Sequence, residues 1–245
     1  MNEESTVVRT TLRIPGNWLH PRELIERMPS GFRLTPEALL LPDHTEIEFA
    51  PMPPDDQFAA IFKSSCRQPA ADDEQEIVSR YTVNVVLTGP GGSMTAALSM
   101  MRAGAALVRA GGAGVFIDNS GVAHGGRKWI ELTEDGGPDA VSFAFVGIIR
   151  GRQDVWTMGM HVLGLPDVVM RGPDAGADGE TIIEVIRYLC HGGKPIGDGH
   201  VLADEDGPRF RAVATSRSDF GPGSPMHNPY GRLKLVSMQE IAERN

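Results

Sequence analysis

The chain has 245 residues, between one large domain and two small ones at about 150 residues per domain. Its 41% hydrophobic and 22% charged shares are those of a globular protein and exclude a disordered, collagenous, coiled-coil or polytopic membrane chain. The net charge is −9, with 7 basic and 14 acidic side chains over residues 1–77 and 16 and 18 over the rest. No Lys/Arg field dense enough to neutralise a phosphate backbone or an anionic membrane is present, so neither is expected as a partner.

The 29 glycines and 18 prolines predict short elements and many turns. Residues 1–6 are acidic and lack the basic stretch and apolar run of a secretory leader. Only Cys66 and Cys190 are present, far apart and outside any Cys-x-x-Cys pair, so neither a disulfide scaffold nor a zinc knuckle is expected. These features predict a cytoplasmic protein without metal or cofactor.

Thr6–Ile14 alternates as a half-buried strand that Pro15-Gly16 stops, and His20–Met28 suits a short helix with proline in its first turn. Thr45–Ala50 reads as a second strand, and Asp55 and Asp56 open a helix carrying Phe58, Ile61 and Phe62. This small acidic strand-helix-strand-helix unit is expected to end at residue 77, after the polar stretch from Arg67 to Glu76, with the main domain over 78–245.

Tyr81–Thr88 alternates as a strand, Gly89–Gly92 forms a turn, and Ser93–Ala110 is a helix apolar almost all round, hence buried on most sides. Gly114–Ile117 is a short buried strand, followed by a polar, glycine-rich loop over 118–126 and one or two helical turns over 127–134. Ala140–Ile149 and Val155–Leu165 read as two apolar strands of a hairpin joined by Arg150–Asp154. Asp178 is predicted to cap an amphipathic helix ending at Gly192-Gly193 before Pro195. Short strands at 201–202, 210–215 and 233–236 and a closing helix at 238–243 complete the pattern. The mixture predicts an α+β fold, a mixed and largely antiparallel sheet with helices packed on it.

Three constellations carry chemistry. Gly91, Gly92 and Ser93 lie between a strand and a helix, where free backbone N–H groups and the helix dipole hold anions; the alternative is a tight turn with Ser93 as N-cap. No lysine follows the glycines as a Walker loop requires, and Met94 stands where the dinucleotide fingerprint needs glycine. The stretch also approaches a nucleophile elbow, in which Ser93, Asp118 and His124 would follow the hydrolase order. Asp118, Asn119 and His124 in the polar loop, with His161 further on, are ligand-binding candidates. Their bland counterparts are an Asx-type turn and a half-buried structural histidine in a strand. Asp198 and His200 flank Gly199, but histidines this scattered spell no metal motif. Cys190 ends a helix, where the dipole disfavours the thiolate.

Thr157–Asp167 (Thr-Met-Gly-Met-His-Val-Leu-Gly-Leu-Pro-Asp) and Lys194–Gly199 (Lys-Pro-Ile-Gly-Asp-Gly), with the strand, Met/Ala-rich helix and Gly-Val-Phe-Ile strand before them, resemble a bacterial domain of unknown function, number four-two-six-one, over roughly residues 80–245. The resemblance implies a small cytosolic α+β protein and brings no catalytic residues. The leading expectation is a non-catalytic module that binds a protein partner or itself. The alternatives are a small-molecule or anion-binding module built on the 89–93 turn and 118–126 loop, and a Ser/His/Asp hydrolase.

Overall fold

The computed structural model describes residues 7–176, 179–192, 196–203, 209–215 and 219–243. The expected caps and stops at Asp178, Gly193 and Pro195, and Lys194 of the family-like segment, lie outside them. The order begins β1 (Arg9–Gly16), α1 (Pro21–Arg27), β2 (Arg33–Leu34), β3 (Ala38–Leu40), β4 (Glu46–Met52), α2 (Phe58–Ser65) and α3 (Asp72–Ser79). It continues with β5 (Val83–Pro90), α4 (Met94–Arg109), β6 (Gly114–Ile117), β7 (Val122–Gly125), α5 (Gly126–Asp135) and α6 (Pro138–Phe145). The remainder is β8 (Gly147–Arg150), β9 (Asp154–Met158), β10 (Asp167–Arg171), α7 (Glu180–Cys190), β11 (Val201–Ala203), β12 (Arg209–Thr215), β13 (Arg232–Ser237) and α8 (Met238–Glu243). The fold is α+β.

There are two sheets where one was expected. The first has the order β2-β3-β4-β5-β1-β6-β7 and is antiparallel throughout, and the second runs β11-β12-β13-β10-β9-β8, with β10 and β13 as its parallel pair. β1 is inserted between β5 and β6, in register from Arg9 opposite Pro90 to Gly16 opposite Val83 and with Leu12 opposite Ile117. The boundary expected at residue 77 therefore falls between strands of one and the same sheet. Residues 9–52 supply four strands to the same sheet as β5–β7, and the second half of the polar stretch, from Asp72, belongs to α3. Charge made that stretch look like a linker, but Glu74 and Val78 are buried.

Strand parity sorts the first sheet's two faces. Leu12, Ile14, Val85, Leu87, Val115 and Ile117 belong to the large core with Met100 and Leu107 of α4, while Phe58, Phe62, Ala70, Val78 and Ala123 form a smaller cluster on the other face. Gly104 lets α4 approach: a Cβ there would meet Trp129 at 2.8 Å and Leu12 at 3.3 Å. The large core continues through Val155, Val168, Met170 and Leu235 of the second sheet, so one body of apolar side chains joins both.

Two predicted strands are broken. Residues 138–145 are helix α6, because Pro138 sits in the first turn and every position from Ala140 on but Phe143 is buried; a short continuous apolar run does not distinguish strand from buried helix. The Val155–Leu165 strand ends at Met158, where Gly159 at φ 99° turns the chain into a 3-10 turn, Met160–Leu163. The hairpin itself is present as β8 and β9. The 118–126 loop is a tight turn followed by β7, buried at all four positions.

Candidate functional site

The candidate residues divide between opposite faces of the first sheet. His124 lies opposite Val115 in β7 and so faces the large core, with ring contacts to Trp129 and Phe143 and an Nε2–H that donates to the Ala144 carbonyl at 3.0 Å. It is 2% exposed, and burial pulls its pKa down to about 4, so it is a neutral packing residue. Asp118 lies just past β6 on the face of Arg13, whose guanidinium holds both carboxylate oxygens at 2.7 and 2.8 Å. Arg13 belongs to the face opposite Leu12, so the sheet stands between Asp118 and His124. Ser93 caps α4, accepting from the Ala96 N–H at 3.1 Å. The hydrolase constellation is not brought together.

The 89–93 turn is spoken for in the same way. The N–H of Gly91 bonds the Val8 carbonyl and that of Gly92 bonds the Val162 carbonyl, so the two glycine donors of the turn are already occupied. Glycine is needed here for a close approach of two backbones. Gly164, at φ 81°, lies so near Gly92 that a Cβ would meet its carbonyl oxygen at 2.5 Å. This contact locks the start of α4 to the 3-10 turn leading into the second sheet.

Asn119 and His161, by contrast, do meet. The Asn119 carboxamide accepts from the Thr11 N–H at 2.8 Å and donates to the Arg9 carbonyl at 2.9 Å, completing the edge of β1 as the peptide group of a neighbouring strand would. The same nitrogen donates to the Pro225 carbonyl at 3.0 Å. His161 also reaches Pro225 at 3.0 Å; a carbonyl only accepts, so Nε2 carries the proton and its 3.1 Å approach to Asn119 is two donors converging on one oxygen. The bare Nδ1 is buried without a partner among the described residues, and burial lowers the His161 pKa to about 4. His161 sits on the 3-10 turn, not on a strand face.

Beside this network the start of β1 and the 222–229 loop enclose a polar cleft of about 350 Å³, to which Arg9, Thr11, Asp118, His161, Ser224 and His227 contribute. β5 and β6 run the same way without being neighbours. β1 separates them, and both of their outgoing loops hang on its first residues.

Sequence reasoning missed Asp167 and Arg67. Asp167, 4% exposed, accepts from Thr157 Oγ1 (3.2 Å), the Met160 N–H (3.3 Å) and Asn228 Nδ2 (2.9 Å); burial outweighs those donors and raises its pKa to about 6. It ties the 3-10 turn to the 228–231 turn. Neither its neighbours nor its spacing signalled a buried acid, since Asn228 comes from a distant turn. Asp198 accepts from the Ala214 N–H of β12 and His200 Nδ1 from the Gly197 N–H, and among the described residues no three His, Cys, Asp or Glu are placed to hold a metal. Both cysteines are free, and burial followed by Asp139 pushes the Cys190 thiol up to about 12. No helix among the described residues is long and apolar enough to cross a membrane. Searches with family models, curated proteins and solved structures found no match for this chain.

Proposed function

We propose that the protein is a non-catalytic interaction module that pairs with a second copy of itself. The observation that carries this is an apolar trough of about 450 Å³ at the β2–β5 end of the first sheet, walled by Trp18, Leu24, Leu34, Phe49, Val83 and Val85. On its rim Leu19 is 74% and Ile25 54% exposed, so one patch carries both a protruding apolar pair and a recess that takes one. A two-fold interface requires this, because each subunit then offers its ridge to the other's trough. The resemblance to the four-two-six-one domain belongs to the same proposal, and the two unpaired cysteines support a cytoplasmic setting. Sedimentation velocity across a hundredfold concentration range should show monomer and dimer, with Leu19→Asp plus Ile25→Asp shifting the chain to monomer. A wild type that stays monomeric at the highest concentration overturns the proposal. Because the chain carries −9, salt should strengthen the association.

A second reading, small-molecule binding, is supported by the cleft at the start of β1, where Asp118 and His161 of the sequence candidates share one wall. Its test is a thermal-shift screen of wild type against Asp118→Asn. Ligand shifts that are identical in the two proteins count against the cleft.

A further inference from the structure

Arg67 follows the parallel bridge between Cys66 and Ala123, and its N–H bonds the Ala123 carbonyl, which fixes where the side chain sets out. Its guanidinium lies over the Phe143 ring, 4.8 Å from the centroid, and donates to the Val146 carbonyl. Among the described residues it has no carboxylate partner within ion-pair distance. Burial lowers its pKa to about 10, with no neighbouring acid to raise it again. A cation half withdrawn from water and left without a counter-ion is costly to the fold unless something supplies the missing charge.

The surroundings say what that something is. Arg67 stands in the wall of a pocket of about 210 Å³ between α6, β8 and α7, whose other surfaces are chiefly Phe143, Ile148, Ile183 and Ile186. The volume is below the ~300–1,000 Å³ of drug-sized sites. Asp139 at the rim is engaged by His191 at 2.9 Å and Arg187 at 3.8 Å, so it does not reach inward to neutralise Arg67. We propose that this pocket binds a small organic monoanion, a carboxylate on a short hydrocarbon chain, with the guanidinium of Arg67 forked onto the carboxylate and the chain among the three isoleucines. A guanidinium suits a planar carboxylate because two of its N–H groups match the two oxygens. This site is independent of the trough proposed for self-association.

The test is a titration of the wild-type protein with hexanoate at constant ionic strength, followed by amide chemical shifts and calorimetry, with butyrate, 1-hexanol and hexylammonium as comparators. Hexanoate should bind more tightly than butyrate by about tenfold, since two added methylenes are buried. The alcohol and the ammonium should bind at least tenfold more weakly than hexanoate, and the shifts should centre on residues 143–148 and 183–187. Arg67→Met, which keeps the stem and removes the charge, should weaken hexanoate at least tenfold. Ile183→Trp fills the pocket and should abolish binding with Arg67 intact, which decides the matter should Arg67→Met fail to fold. The proposal is overturned by hexanoate shifts that map elsewhere, by equal binding of hexanoate and chloride, by unchanged affinity in either variant, or by no binding in the millimolar range.

Discussion

Replacing Asn119 by alanine is the sharpest perturbation of the junction at the start of β1. The residue is fully buried and its carboxamide makes three bonds to backbone groups, one accepted from Thr11 and two donated to Arg9 and Pro225. Alanine removes all three and leaves the Thr11 N–H and the Arg9 carbonyl without the carboxamide that paired them. Each buried polar group left unpaired costs about 1–3 kcal/mol, and relaxation of the 222–229 loop offsets part of it. A loss of about 2–4 kcal/mol follows, which in a chain of ordinary marginal stability is a large fraction of the whole. Asn119→Asp separates hydrogen bonding from packing: it keeps the acceptor for Thr11 but turns a carboxylate oxygen towards two carbonyls and should destabilise at least as much at pH 7. Urea unfolding followed by tryptophan fluorescence measures both. A loss below about 0.5 kcal/mol for alanine, with unchanged m-value, would show that water replaces the carboxamide freely and that it is not an edge-strand surrogate.

Three further outcomes follow from the geometry. The folded-state pKa of Asp167, about 6, lies above its unfolded value of ~3.9, so the folded state holds the extra proton. Its stabilisation is full below the unfolded value and lost as pH rises through about 6, and the loss between pH 5 and 7.5 comes to about 1.4 kcal/mol. Unfolding free energies of wild type and Asp167→Asn should therefore converge or cross over that interval, and parallel curves refute the assignment. Gly164→Ala places a Cβ at 2.5 Å from the Gly92 carbonyl at a left-handed φ of 81°, and a loss above about 2 kcal/mol is expected by thermal melting. Glu74 accepts from the Ala71 N–H at 2.9 Å and the Arg127 N–H at 2.8 Å, bridging α3 to the first turn of α5. Glu74→Gln forces a donor against one of those N–H groups and removes an anion from a helix N-terminus, for about 1–2 kcal/mol; hydrogen exchange should quicken in both helices, and a change confined to α3 would count against the bridge.

Much of the fold was legible because its signals are local. Period-two alternation marked β1, β4 and β5, the Ser93 cap and apolar run marked α4, and the polar Arg150–Asp154 connection marked the β8–β9 hairpin. Failures came where a local pattern suits two structures. The run at 140–145 is apolar enough for a strand or a buried helix, and the glycine at 159 looks harmless in a strand until its positive φ is required. Of the candidate site, Asn119 and His161 were singled out for polarity and do converge, whereas Asp118 and His124 are six residues apart on opposite faces of a sheet.

What the sequence determined by itself is the class of the fold and the absence of a phosphate-binding lysine or a dense basic field, since these depend on periodicity, composition and spacing alone. Only the tertiary structure decided that residues 9–52 complete the first sheet, that the glycines at 91–92 and 164 serve one backbone crossing, and that Arg67 is a half-buried cation beside an apolar pocket. The physical reason is that pairing, desolvation and charge compensation depend on which residues are neighbours in space, and Arg67 meets Phe143 and Val146 only after the chain has folded back across β7.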